Sequence, residues 1–373
     1  MGNRRKSFTV SIREGFIGIP FRYIKTKIII FRRDEIMKTK IRILSLLLIA
    51  FMMLSLVSCN KEQEPKAEPK AQVGVLKGPT GVGAVKLYEK NSLVDSIGKY
   101  DIFMYETANA NALVTNVLNG SVDIAAVPIN TAGILYNKTN GGVSIIAANA
   151  LGVLSMVGYD EMTDIKQLKG VTIHTVNKGA TPEYILRYVL EKNGLDPQKD
   201  VEILFYSTPA DAVAAATAYH NQGKVSVAMI PEPALTVNLT KSPELKLIFD
   251  MTDEWDKVST TKLIQGVVVV RNEFLRDHPD VVATFLDDYS ESVGFVNGNH
   301  SEAAKLMVEY GIVNNEAVAE KSIPNCNVVC ITGTRMKESV FSMLEVLYGS
   351  NPASIGGALP SSNICYVASN EAK

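Results

Sequence analysis

Two four-residue segments present hydrogen-bonding groups in the same order: Lys77-Gly78-Pro79-Thr80 and Lys178-Gly179-Ala180-Thr181. Each follows a β-rich run (VGVL; VTIHTV) and precedes a helical pattern. Glycine lets the backbone approach a bound molecule closely, and a threonine at a helix start either caps that helix or offers its hydroxyl outward. Pro79, Thr80 and Gly81 on one side, with Ala180 and Thr181 on the other, are therefore candidate ligand-binding residues, and Pro182 suits the first turn of its helix. Two helix N-termini facing one space would favour an anionic group such as a sulfonate, carboxylate or phosphate, without a buried arginine. Thr107, Asn109, Asn130 and Thr208 fall in comparable loops and could supply hydrogen bonds, although turn-forming Asn and Thr need no ligand to explain them. Glu232, between Pro231 and Pro233, either pairs with an ammonium or heterocyclic N–H or is a solvated loop charge. Gln265 is a further hydrogen-bonding candidate near a chain crossing. Trp255, the single tryptophan, either stacks on a ring or packs.

The elements that must position these residues form a repeat. The KGPT and KGAT segments stand 101 residues apart, and Ile102 to Thr107 matches Ile203 to Thr208 at the same offset, Tyr on Tyr and Thr on Thr. NGSVDIAAVPIN (119–130) matches QGKVSVAMIPEP (222–233) at 103. Each half thus reads strand, helix, strand, helix, strand. Short apolar strands with helix-length connections imply largely parallel sheets, and loops at the carboxyl ends of such strands are where ligands sit. The chain is expected to cross between halves near Asn149 to Gly152, to return near Asp250, and to rejoin the first half with the strand LIQGVVVV (263–270). Helical spacing follows in HPDVVATFLDDYSESVGFVN, SEAAKLMVEYG and TRMKESVFSMLEVLYG.

Composition narrows the function classes. The 373 residues are 46% hydrophobic and 21% charged, enough for a large core in two lobes. The first 58 residues hold 12 of the 38 Lys/Arg and 3 of the 39 Asp/Glu, leaving 26 against 36 and a net charge of −10 on the remainder. A body that acidic argues against nucleic-acid binding, which rests on phosphate neutralisation. Four cysteines and four histidines, none in a zinc-type spacing, imply neither a metal site nor a cofactor.

From Met37 the chain reads as a secretory signal: Lys38, Lys40 and Arg42 precede a fifteen-residue apolar run from Ile43 to Val57, too short for a comfortable membrane span. It ends in Leu56-Val57-Ser58-Cys59, which resembles a bacterial lipobox, so Cys59 is the expected lipidation site. Residues 59–71 read as a polar tether. Residues 1–36 have no evident role and are expected to stem from an upstream start codon.

The lipoprotein signal and tether, the segment DIKQLKGVTIHTVNKGATPEYILRYVLEKNGLDPQKDV, the IPEP loop, the strand before RNEFLRDHPDVVATFL and the tail SIGGALP together resemble one family. It is the nitrate/sulfonate/taurine/thiamine-precursor group of ABC-transporter substrate-binding proteins, and the resemblance covers roughly residues 72–366. It implies a type II periplasmic-binding-protein fold: two α/β lobes joined by a two-strand hinge, with 72–150 and 251–366 in lobe 1 and 151–250 in lobe 2. It further implies a monomer anchored by lipid on the extracytoplasmic face of the cell membrane. Such a monomer would close over a small solute and deliver it to a permease and its ATPase. The alternative is an enzyme of the same fold acting on a pyrimidine or menaquinone precursor. Against it, no Ser-His-Asp or Cys-His arrangement presents itself, and Cys326 and Cys330 are too sparse to replace the cysteine cluster of the pyrimidine-synthesising relatives; with Cys365 they leave an odd number after lipidation of Cys59. The expectation is binding without catalysis.

Overall fold

The computed structural model describes residues 37–38, 42–45, 70–93, 100–106 and 110–368. The chain divides into two compact units, 1–67 and 68–373. In the first, only Met37, Lys38 and Arg42–Ser45 are described, and they are helical. Cys59, most of the signal and tether, and the candidates Thr107 and Asn109 lie outside the described residues.

The second unit contains two sheets. The first has the order β11-β4-β10-β3-β1-β2 and the second β7-β6-β8-β5-β9. The strands are β1 (Ala71–Leu76), β2 (Tyr100–Tyr105), β3 (Ile124–Pro128), β4 (Val143–Ala150), β5 (Leu154–Gly158), β6 (Thr172–Val176), β7 (Glu202–Tyr206), β8 (Ser226–Pro231), β9 (Lys246–Asp250), β10 (Gly266–Arg271) and β11 (Val328–Ile331). The central strands are β-branched and alanine-rich runs buried on both faces, as in β4 (VSIIAANA) and β10 (GVVVVR). Continuous apolar runs of this kind belong in sheets covered by helices on both sides.

The repeat survives in the ladders. Within each half the three strands pair in parallel around the first one. Each sheet then receives one antiparallel strand from the chain crossing: β10 beside β3, and β5 beside β8. Val73 lies between Ile102 and Ile124, and Ile173 lies between Ile203 and Val227, so the structural offsets are 100, 101 and 103. The last two equal the sequence offsets. The first is shorter by one because the second loop contains an added residue, Asn177, in the left-handed region at φ 59°.

The chain crosses between lobes twice, in residues 151–153 and again between the helix Met251–Asp256 and β10. The sequence reading ends the second lobe at Asp250. In the structure the helix Met251–Asp256 still belongs there, because Trp255 is fully buried, stands 4.8 Å from the Tyr188 ring and donates from Nε1 to the Thr261 carbonyl at 2.7 Å. That environment makes Trp255 a packing residue. At the first crossing Gly152 is required sterically, since a Cβ there would collide with Thr252 Oγ1. Asn327 Nδ2 donates to the Gly152 carbonyl at 2.5 Å and ties the crossing to the first lobe.

Leu154, Met156 and Trp255 of the second lobe share one apolar cluster with Ala148 and Val267 of the first. Full burial of such a side chain contributes roughly 1.5–3 kcal/mol, so packing as well as the two crossings joins the lobes on the hinge side. The helix Gly333–Ser350 adds to this, lying against both Ile129–Lys138 and Thr181–Lys192.

Candidate functional site

A cavity of about 520 Å³ opens between the lobes at the carboxyl ends of β1, β3, β6 and β8. This is the edge at which parallel α/β sheets hold ligands. A hollow of about 630 Å³ lies elsewhere, on the outer edge at β9, and is lined by Asp250, Asp253, Glu254 and Asp256. It touches none of the matched loops.

The cavity joins six of the expected residues: Pro79, Thr80, Asn130, Ala180, Thr181 and Gln265. The backbone explains why the two loops reach it. Gly78 and Gly179 both take positive φ, 99° and 79°, and so turn the chain sharply from strand to helix. Neither threonine caps its helix; the N-cap residues are Gly78 and Ala180, without side-chain caps. Thr80 Oγ1 donates back to the Leu76 carbonyl at 3.0 Å. Thr181 Oγ1 instead crosses the cleft and donates to Asn130 Oδ1 at 2.8 Å, with both residues buried. Asn130 Nδ2 lies 3.4 Å from the carbonyls of Gly179 and Ser354. Asn130 and Thr181 therefore form a latch between the lobes.

The helix after Gly78 has only four residues, Pro79–Val82, whereas that after Ala180 has twelve. The expectation of two equivalent helix N-termini thus reduces to one helix long enough to carry an appreciable dipole. What the sequence reading missed is charge on side chains. Lys77, Lys138 and Lys178 line the cavity, and among the described residues its walls contain no Asp, Glu, Arg, His, Cys or Ser. The signal was present for two of the three, since a lysine opens both matched segments. Lys77 is drawn to Glu106 at 2.5 Å, while Lys178 Nζ lies 5.7 Å from the Phe205 ring centre. Leu76, Val114, Ile134, Val153 and Leu154 supply an apolar wall.

Gln265 belongs to the hinge as much as to the cavity. Its Oε1 accepts from Val153 N at 2.5 Å, its own N–H donates to the Ala150 carbonyl at 2.9 Å, and its carbonyl accepts from Ile129 N at 3.0 Å.

The remaining candidates lie apart from the cavity. Gly81 is buried under the turn, where a Cβ would stand 2.8 Å from the Leu76 carbonyl oxygen. Thr208 caps the exposed start of the helix Pro209–Asn221, accepting from Asp211 N at 3.2 Å and donating to Asp211 Oδ2 at 2.7 Å. Glu232 is neither solvated nor in the cavity. It is 2% exposed and accepts from Thr236 N at 3.1 Å, from Thr236 Oγ1 at 2.8 Å and from Asn325 Nδ2 at 3.4 Å. Burial raises its pKa above the usual carboxylate value, and the Thr236 and Asn325 hydrogen bonds oppose that rise. Asn325 belongs to the segment Ile323–Cys326 after the return crossing, so Glu232 is a second polar contact between lobes. The buried His174 shares a 2.9 Å hydrogen bond with Tyr206 Oη, and desolvation lowers its pKa. Among the described residues no three His, Cys, Asp or Glu side chains gather as a metal cluster.

The model of the NMT1-like family matches residues 68–310, which takes in both matched loops, Asn130 and Gln265. The chain belongs to the NMT1-like family. Of the curated relatives, "Putative binding protein YtlA" of Bacillus subtilis (strain 168) is 26% identical over 183 residues, 46% of this chain; the match spans about half of that relative's length, 52%. An ABC transporter protein from Parabacteroides distasonis superposes with a TM-score of 0.65 at 22% identity, over 80% of this chain and 98% of that one. The aliphatic sulphonate binding protein SsuA of Escherichia coli gives 0.64 at 14% identity, over 82% and 94%. The alkanesulfonate-binding protein SsuA of Xanthomonas axonopodis pv. citri, solved bound to MOPS, gives 0.60 at 16% identity, over 81% and 100%. The two-lobed NMT1-like chain therefore has the periplasmic-binding-protein fold that its sequence resemblance implies.

Proposed function

We propose that the protein is the extracytoplasmic solute-binding component of an ABC importer, a monomer held at the membrane by lipid on Cys59. It captures a small organic anion by lobe closure and presents it to a permease. The observation that carries this reading is the cavity itself: it lies between lobes, has three lysines and no carboxylate among the described residues of its walls, and is bridged by the Asn130–Thr181 hydrogen bond. The lysines suit a sulfonate or a similar anion, and the apolar wall suits an attached carbon chain. The names of the SsuA neighbours favour the sulfonate class. Closure follows if the solute binds better when both loops surround it, since a ligand shifts a two-state equilibrium by its differential affinity. Among their described residues the walls offer no carboxylate, histidine, cysteine or serine, which favours binding over the pyrimidine or menaquinone chemistry of enzymes with this fold.

The test is a thermal-shift screen of the full-length protein in detergent against alkanesulfonates, MOPS, taurine, nitrate and pyrimidine phosphates, followed by calorimetry and by mass spectrometry of the recovered solute. An organic anion that binds and is recovered unchanged is the expected result. Preference for a cation, or steady conversion of the solute, overturns the proposal. For the anchor, Cys59→Ala should release the protein from the membrane fraction or leave it unprocessed; unchanged processing and anchoring would refute it.

A further inference from the structure

The loop carrying Gly179 and Thr181 is held from behind by a carboxylate that does not line the cavity. Glu183, the third residue of the helix Thr181–Lys192, is buried, and its Oε2 accepts from Gly179 N at 2.7 Å. Its Oε1 accepts from Arg187 Nε at 2.9 Å and from Arg187 Nη2 at 2.8 Å, one helical turn on. Arg187 Nη1 in turn lies 3.5 Å from the Pro197 carbonyl.

A glutamate at this helical position commonly reaches back to the N-cap amide. Here it reaches one residue further, past Ala180 to Gly179, whose positive φ marks the turn that aims the loop. Arg187 spends two donors on one oxygen, which leaves the other oxygen directed at the Gly179 amide and keeps the carboxylate from swinging away. The Gly179 carbonyl and the Thr181 hydroxyl are the groups that meet Asn130 across the cleft. Lys178 precedes the same turn on the cavity wall. A continuous series of polar contacts therefore runs from Arg187 through Glu183 and the loop to Asn130, and on to the Ser354 carbonyl.

We propose that Glu183, clamped by Arg187, is the positioning residue of the solute loop, setting the Gly179 peptide and Thr181 where they engage Asn130 and close the cleft. Loss of the carboxylate leaves the turn free to rotate, which moves Lys178 and the latch together. The inference rests on the reading of this cleft as the solute site.

The test uses the full-length protein in detergent with Glu183→Ala, Glu183→Gln and Arg187→Ala. Hydrogen exchange of the segment 177–185 is followed without solute, and MOPS is the calorimetric probe. Glu183→Ala should exchange about tenfold faster at Gly179 and Ala180 and bind MOPS about tenfold more weakly, with exchange in 187–192 unchanged. Glu183→Gln keeps an acceptor oxygen and should restore most of both, and Arg187→Ala should fall between them. Loop exchange and MOPS affinity equal to wild type in Glu183→Ala overturn the proposal. Faster exchange spread evenly along the helix without rescue by Gln also overturns it, because that is the mark of helix stability alone. If MOPS does not bind wild-type protein, the best anion of the screen replaces it as probe; if none binds, or Asn130→Ala binds the probe unchanged, the cleft reading is what fails, and loop exchange still decides the role of Glu183.

Discussion

The loops 77–80 and 178–181 share a motif, a positive-φ glycine and a position at the end of a first parallel strand, yet their threonines have opposite fates. Thr80 turns back to its own strand, to the Leu76 carbonyl; Thr181 spans the cleft to Asn130. The helices that follow differ as sharply, four residues against twelve. Repetition therefore carries the backbone route, while side-chain roles depend on what the opposing lobe presents. Asn130 lies in the first turn of the helix that follows β3, and at the offset of 103 the second half has Pro233, the residue before its helix.

Four substitution sets break or sharpen this contrast. The largest effect is expected at the glycines. Gly78 sits at φ 99°, ψ −152°, a region that only glycine adopts freely, so Gly78→Ala should cost about 2–3 kcal/mol. Gly179→Ala, at φ 79° with open space around the new Cβ, should cost about 1–2 kcal/mol. Urea denaturation measures both, and equal costs would remove the asymmetry between the loops.

Charge comes next. Lys178→Gln should weaken a bound anion by about tenfold or more. Lys77→Gln should weaken it less, because Glu106 already holds that ammonium. Calorimetry with the best anion from the screen checks the order, and added salt should narrow the gap.

The threonines separate function from stability. Thr181→Val leaves Asn130 Oδ1 without its donor and should cost about 1–3 kcal/mol in the closed state. The loss should be visible as weaker solute binding and as a larger radius of gyration in solution scattering. Thr80→Val should cost about 1 kcal/mol in unfolding alone, with solute affinity retained. Identical behaviour of the two variants would mean that the latch does not act in binding.

The smallest effect concerns the other interlobe contact, Glu232. Its folded pKa is raised, so the folded state holds this proton more tightly than the unfolded chain does. That contribution to stability is fully present below the unfolded value and declines as pH rises through the folded one. Glu232→Gln should flatten that decline in a series of melting temperatures from mildly acidic to neutral pH; an unchanged slope would assign it to other groups.

Much of the fold was legible because short apolar strands and intervening helices leave period and punctuation in the sequence. The offsets of 101 and 103 for the second and third strands agree with the ladders, and the first differs only by Asn177, an insertion that a motif match slides over. The floor of the site was legible for the same reason, since strand-end loops carry Gly, Pro and Thr. The Asn130–Thr181 pairing was not, because it joins residues of different lobes whose approach is set by packing at the hinge. Val114 and Ile134 of the apolar wall come from helix interiors and Lys138 from the last position of its helix, where nothing local marks a cavity-facing side chain. Glu232 reads as a loop charge until Thr236 and Asn325 are seen to supply its donors.

The central claim is that a solute is held between the two matched loops by the lysines around them. Calorimetric titration of wild type and of Lys138→Gln/Lys178→Gln with whichever anion binds wild type best tests it most directly. The account predicts that the double variant, folded with a melting temperature near wild type, loses about a hundredfold in affinity, each charge-assisted contact contributing roughly 1.5 kcal/mol or more. Equal affinity in the two proteins would contradict it and place the solute outside this cleft.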